Sequence, residues 1–125
     1  MDHDATTGAP DASVVAFVPD LLDRSRIESA GRRARRVVVF VDRPEDLPGA
    51  VAGGARQVVL DLGRPGALEI LAHLGEAHSV GFASHVDAPL LEAAVAAGCD
   101  EVLPRSVFFR RMAGGEPFSA ATHRS

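Results

Sequence analysis

Short apolar runs alternate with segments of helical spacing along most of this chain, and this alternation limits the folds open to it. The runs are rich in β-branched and other apolar residues, as strands buried on both faces are. Between them, apolar residues recur at helical spacing, as Ile27, Ala30 and Ala34 do. We predict strands at residues 14–18, 36–41, 57–61, 80–83 and 101–103, and helices at 21–35, 45–52, 65–74, 88–97 and 106–112.

Strict alternation of strands and helices predicts a parallel sheet covered on both faces, with right-handed crossovers. Five strands in about 100 residues fit an α/β, doubly wound, flavodoxin-like sheet of order 2-1-3-4-5. At 125 residues the chain has room for one such domain, which we place at residues 13–113. Small, polar, turn-forming residues predict a disordered N-terminal tail at 1–12 and a flexible C-terminal tail at 114–125, in which Phe118 is apolar enough to dock locally.

Three features predict a cytoplasmic protein. No apolar stretch approaches the roughly 18 residues that a membrane span needs. The first residues, Met1 to Asp4, lack the apolar core of a secretory signal. Cys99 is the single cysteine, which excludes an internal disulfide and a cysteine-based zinc site, and we interpret it as a small buried residue.

The net charge of −4 argues against nucleic acid as a partner, because phosphate backbones are bound by basic surfaces. The chain also lacks Trp and Tyr, which stack on bases. We interpret its one basic cluster as a solvated helix face. The cluster consists of Arg24, Arg26, Arg32, Arg33, Arg35 and Arg36.

Two aspartates follow the strands at which the predicted strand order reverses, where open parallel sheets bind their ligands. Asp20 follows the first strand, and Asp61 ends the third. Together they could hold a hard cation such as Mg²⁺, or Asp61 could accept a phosphoryl group. Asp20 could also be the N-cap of the first helix, and Asp61 could cap a turn or pair with Arg105.

At these positions the chain resembles bacterial response-regulator receiver domains over residues 13 to 112. Asp61 is followed four residues later by Pro65, similar to the D-x-x-x-P of that family. The resemblance implies that Asp61 is the phospho-acceptor, that Ser84 and Arg105 contact the phosphoryl group, and that Asp20 and Asp61 hold Mg²⁺. It also assigns an output or dimerisation face to the region of the fourth and fifth helices, with Leu90, Ala93, Ala97 and Phe109 as candidate interface residues.

Three positions depart from the family pattern and predict a degenerate receiver. Pro19 stands where the family usually has a second acid at the end of the first strand. Pro104 precedes the basic residue Arg105, whereas the family has Lys followed by Pro. Val102 is aliphatic where signalling receivers carry a switching aromatic. The predicted phosphorylation site is therefore incomplete.

Other chemistries have weaker support. Ser84, His85 and Asp87 are too close in sequence for a catalytic triad, and no G-x-S-x-G turn is present. His73 and His78 are spaced poorly for one metal and are expected on the surface or in loops. In the last helix we expect one of Phe108 and Phe109 to pack on the sheet and the other, with Met112, to be exposed.

These observations favour a stand-alone receiver-like signalling module, and not an enzyme, that acts through protein contacts with impaired or absent phosphorylation. Only about a dozen residues follow the domain, so output is expected through a protein partner (a histidine kinase or a downstream regulator) or a homodimer. One alternative is a genuine phospho-accepting receiver with Asp61 as acceptor. Another is a small ligand-binding or anti-sigma-factor-antagonist-like module, against which the loop Gly63–Gly66 counts because it offers no phosphorylatable residue.

Overall fold

The computed structural model describes residues 14–115 and 117–118. The predicted N-terminal tail, residues 1–12, lies outside the described residues, as does most of the predicted C-terminal tail. The strands are β1 (Val14–Phe17), β2 (Val38–Phe40), β3 (Gln57–Asp61), β4 (His78–Ala83) and β5 (Glu101–Pro104). The helices are α1 (Leu21–Arg33), α2 (Leu47–Ala52), α3 (Ala67–Ile70), α4 (Ala88–Ala96) and α5 (Arg105–Met112), and 3₁₀ turns precede α2 at Pro44–Asp46 and follow α3 at Leu71–His73.

The five strands form one parallel sheet of order β2-β1-β3-β4-β5, which confirms the predicted fold class. In the registers Val14 pairs with Val38 and Gln57, Gln57 with His78, and Val80 with Glu101. Because the strands are parallel, their carboxyl ends lie at one edge of the sheet.

Helices cover both faces of the sheet, so the core has two layers. On one face Ile27 of α1 and Phe108 of α5 are fully buried against the sheet. On the other face α2, α3 and α4 pack against the sheet through the buried side chains of Leu47, Ala67 and Ala94, respectively. This burial on both faces explains the near-continuous apolar sequence of β1 and β3.

Some predicted boundaries were wrong for local reasons. β2 begins at Val38 instead of residue 36, because Arg35 has a left-handed φ of 61° and the Arg36 amide bonds back to Gly31, 2.8 Å away, at the end of α1. β4 begins two residues early, at His78. Met112, expected at the surface, is buried beside Phe108.

One glycine is required by close packing. Gly81 in β4 is buried, and a Cβ added there would lie 2.7 Å from side-chain carbons of Leu62. The leucine after β3 thus fills the space that a side chain at residue 81 would take.

Within the described ranges, no helix is long and apolar enough to cross a membrane.

Candidate functional site

The predicted site residues come from four neighbouring strands at the carboxyl edge of the sheet. Asp20 follows β1, Asp61 ends β3, Ser84 follows β4 and Arg105 follows β5. The pKa of Arg105 is raised first by its hydrogen bonds to Asp23, and the negative charges of Asp61 and Asp20 raise it further. The topology therefore brings the candidate residues to one edge of the molecule.

Asp20 is the N-cap of α1, as its alternative interpretation predicted. Its Oδ1 accepts a hydrogen bond from the amide of Asp23 at 3.0 Å. This bond to the carboxylate lowers the pKa of Asp20 below its ordinary value. One oxygen of the Asp20 carboxylate thus caps a free amide at the N-terminus of α1.

Asp61 closes the turn that follows β3 and pairs with a residue that the sequence interpretation missed. Its Oδ1 accepts the amide of Gly63 at 3.1 Å, and its Oδ2 lies 3.2 Å from Nε of Arg64. The Asp61 side chain is 14% exposed. The prediction that Asp61 caps a turn is confirmed. The prediction that Asp61 pairs with Arg105 was wrong, because Asp61 pairs with Arg64 and Arg105 pairs with Asp23. The sequence did contain a signal for this pair, because Arg64 is a basic residue three positions after Asp61 and can reach it across one turn.

Arg105 is held by Asp23, a buried acid in the first turn of α1 that sequence reasoning also missed. Nη1 of Arg105 donates to Oδ2 of Asp23 at 2.9 Å, and Nη2 contacts Oδ1. The Asp23 side chain is only 2% exposed. The hydrogen bonds that Arg105 donates to this carboxylate raise the pKa of Arg105. The guanidinium also lies over the rings of Phe82 and Phe109, 5.7 Å and 4.9 Å from their centres.

Ser84 lies in an exposed turn after β4. Its Oγ accepts the amide of Val86 at 3.3 Å. β4 pairs with β3 in a register that sets Phe82 opposite Asp61. The phosphate-contacting roles of Ser84 and Arg105 stay predictions.

The residues at this edge do not fit a dedicated Mg²⁺ site. Across residues 14–115 and 117–118, no group of three or more His, Cys, Asp or Glu side chains could hold a metal ion. Pro19 supplies no side-chain oxygen, and the carboxylates of Asp20 and Asp61 already accept the hydrogen bonds described above. A hard divalent cation needs several oxygen ligands, so the pairing of these groups within the protein disfavours it.

A second polar cluster, not predicted from the sequence, lies at the opposite edge, where β4 and β5 begin. His78, expected at the surface, is half-buried in β4 with Nε2 2.8 Å from Oε2 of Glu101. Arg111 of α5 pairs with the other carboxylate oxygen at 2.8 Å. Ser79 exchanges hydrogen bonds with Asp100: its amide donates to Oδ2 at 2.9 Å, and its Oγ accepts the Asp100 amide at 3.0 Å.

Cys99, next to this cluster, is buried as predicted, and burial raises the pKa of its thiol. The thiol is therefore protonated and packs as a small apolar group.

The predicted interface residues differ in their surroundings. Ala93 and Ala97 are exposed on and just after α4, and Leu90 is half-buried against the core. Phe109 of α5 is half-buried, contacts the rings of Phe82 and Phe108, and has the guanidinium of Arg26 5.4 Å above its ring.

Comparisons with known proteins agree on the fold. No protein-family model matches the chain, and no curated protein matches its sequence. The fold is that of response-regulator receiver domains, as the sequence resemblance predicted. A response regulator from Hahella chejuensis superposes with a TM-score of 0.68 over 80% of this chain and 88% of its own, at 20% identity.

Two further structures extend this agreement. A CheY-like protein (tadZ) from Pseudomonas aeruginosa has a TM-score of 0.63 over 80% of this chain and 98% of its own, at 17% identity. The receiver domain of a Saccharomyces cerevisiae response regulator, crystallised with a histidine phosphotransfer protein, has a TM-score of 0.65 over 77% of this chain and 79% of its own, at 12% identity. At these identities the likeness concerns the fold.

Proposed function

We propose that this chain is a receiver-like signalling module that acts through protein–protein contacts and does not depend on phosphorylation of Asp61. The observation that carries the proposal is the pairing of charges at the carboxyl edge: Arg64 is paired with Asp61, and Arg105 with the buried Asp23. A carboxylate already bonded to an amide and a guanidinium is a poorer nucleophile, because attack requires those bonds to break.

The receiver fold supports the part of the proposal that concerns protein contacts, since one receiver domain of that fold was crystallised with a histidine phosphotransfer protein. The proposed partner is a histidine kinase, a downstream regulator or a second copy of this chain. The proposal includes a cytoplasmic location and no catalytic activity of the chain's own.

A phosphorylation assay tests the proposal. Purified protein is incubated with acetyl phosphate and Mg²⁺, and its intact mass is measured beside that of Asp61→Asn and of an active receiver domain as a positive control. We expect the wild type and Asp61→Asn to remain unmodified while the control gains one phosphoryl group.

A genuine phospho-accepting receiver is the second candidate, and the position of Asp61 favours it. The carboxylate stands at the end of β3, partly exposed, with Ser84 after the neighbouring strand. If the wild type gains one phosphoryl group and Asp61→Asn does not, this second function replaces the first.

A further inference from the structure

An open groove of about 420 Å³ lies between α1 and α5. It is lined by Ser25, Arg26, Ser29, Arg33, Phe109, Met112 and Ala113. None of these residues belongs to the Asp61 edge described above. A groove between two helices is a common docking place for a third helix, which lays its apolar side into the groove.

The α1 wall of the groove presents two guanidiniums with hydroxyls beside them. Arg26, Ser29 and Arg33 are spaced three and four residues apart, so they lie on one stripe of the helix. The spacing of seven positions between Arg26 and Arg33 corresponds to about 10 Å along the helix axis. A binding partner therefore meets two positive charges separated by two helical turns.

The opposite wall is apolar and orients both arginines. Arg26 lies over the ring of Phe109 at 5.4 Å, and Nη2 of Arg33 donates to the backbone carbonyl of Met112. Because these contacts already restrict the long side chains, less conformational entropy is lost when a ligand binds them. Arg26 and Arg105 both lie over the ring of Phe109, and the part of this half-buried residue that stays exposed beside them gives an apolar side chain a place to pack.

The charge around the groove determines which ligand it suits. No acidic residue lines the groove, and among the described residues neither Arg26 nor Arg33 forms an ion pair, whereas Arg32 beside them pairs with Glu28. The chain as a whole carries a net charge of −4, so this positive groove is a local feature. An apolar floor between two guanidiniums matches a peptide that carries carboxylates on both sides of an apolar residue.

We propose that the α1–α5 groove binds an amphipathic helix of a partner protein that carries acidic residues seven positions apart, with an apolar residue between them. The acids pair with Arg26 and Arg33, and the apolar side chain packs on Phe109. This inference deepens the proposed function by naming the partner chemistry, and it does not use the Asp61 edge.

The test uses a synthetic alanine-rich helical peptide with two glutamates seven positions apart and a leucine between them. The peptide is titrated into isotopically labelled full-length protein and followed by NMR. We expect shift changes confined to α1 and α5, affinity that falls with added salt, and affinity about tenfold weaker for the double variant R26E/R33E. Ser29→Glu, which places an acid between the arginines, should weaken binding in the same direction without removing either arginine.

Matched controls separate the outcomes. Arg43→Glu reverses a charge in the segment before α2, outside the groove, and should keep wild-type affinity, as should Asp61→Asn. Equal binding of a peptide with glutamines for glutamates, unchanged affinity of R26E/R33E and Ser29→Glu, or shift changes elsewhere would overturn the proposal. Tighter binding of single-stranded DNA in the same groove would overturn it in favour of nucleic acid. The phosphorylation assay is independent, so either proposal can fail alone.

Discussion

Two hydrogen-bonded contacts from Arg105 satisfy the carboxylate of Asp23, and together they link the start of α1 to the start of α5. A buried carboxylate without such a partner is costly, because it loses its hydration. The same bonds keep the guanidinium of Arg105 beside the Asp61 edge but direct its donors to Asp23. Asp23 thus stabilises the fold and also occupies the donors of Arg105 that would otherwise be available to a phosphoryl group.

Replacing Asp23 tests this contact. Asp23→Ala should lower the free energy of unfolding by about 2 kcal/mol, less than the ~3–5 kcal/mol of a fully buried pair because Arg105 remains partly in water. Urea denaturation at neutral pH measures the difference. Glu28→Ala removes an exposed pair with Arg32 and should cost at most about 0.5 kcal/mol. Equal losses for the two variants would contradict the role given to Asp23.

The guanidinium of Arg64 pairs with the Asp61 carboxylate, so it competes with any metal ion for that carboxylate. This competition gives a prediction for Mg²⁺ binding. The double variant P19D/R64A restores an acid next to Asp20 and frees the Asp61 carboxylate, so it should bind Mg²⁺ more tightly than the wild type, by about tenfold or more. Isothermal titration with MgCl₂ measures the affinity. Arg64→Ala alone should fall between the two, and equal affinities for all three proteins would contradict the competition argument.

Residues with a local signal were predictable, and residues that depend on distant contacts were not. Asp20 and Asp61 could be placed because strand ends follow from the apolar pattern. The Asp23–Arg105 pair spans 82 positions and depends on how α1 and α5 pack on the same face, which no short pattern contains. Asp23 instead resembles an ordinary acid in the first turn of a helix.

At the scale of the elements, the β4–β5 edge shows how strand register creates a polar network. Val80 pairs with Glu101, so the residues just before them, His78, Ser79 and Asp100, meet at the start of the two strands. The sequence predicted β4 only from Val80, because a polar pair such as His78-Ser79 has no strand signal. The register, and with it the network, became apparent only from the paired strands.

This network predicts a dependence of stability on pH. Burial alone would raise the pKa of Glu101. The hydrogen bonds that Glu101 accepts from His78 and Arg111 outweigh burial and bring this pKa below its ordinary 4.5. A carboxylate with a lowered pKa in the folded state stabilises the fold above its unfolded pKa, and this stabilisation is lost as pH falls through the folded pKa. Glu101→Gln should therefore lose less stability than the wild type when the pH is lowered from about 6 to about 3.

Thermal or urea denaturation at several pH values measures this difference. Glu28→Gln removes one charge at an exposed position of α1 and serves as the matched control. The same acid-induced loss in Glu101→Gln and in the wild type would show that this ion pair does not contribute.

At the scale of the whole molecule, the chain returns to the sheet after α5. Phe118 is 4% exposed and packs with Val59, Val80 and Phe108, and Nε2 of Gln57 donates to its backbone carbonyl at 3.3 Å. The described segment after α5 therefore closes the core at the edge opposite Asp61. Phe118 also covers Gln57, whose Oε1 is buried without a partner among the described residues.

Removing this aromatic ring should destabilise the entire domain. Phe118→Ala is expected to lower the free energy of unfolding by about 3 kcal/mol, at the lower end of the range for buried phenylalanines because the site lies at the margin of the core. Urea denaturation measures the loss, and Val95→Ala, at an exposed apolar position on α4, is the control. A loss of less than about 0.5 kcal/mol would contradict the burial of Phe118.

The position of Phe118 also decides where the protein can be labelled. Its contacts with Gln57, the first residue of β3, put it about one strand length, roughly 13 Å, from Asp61 at the other end of that strand. A fluorophore or affinity tag joined directly after residue 118 therefore starts at the edge opposite Asp61. Immobilising the protein by such a tag leaves the Asp61 edge open to solvent, so a surface-based assay can sample partners of that edge with little steric hindrance from the support.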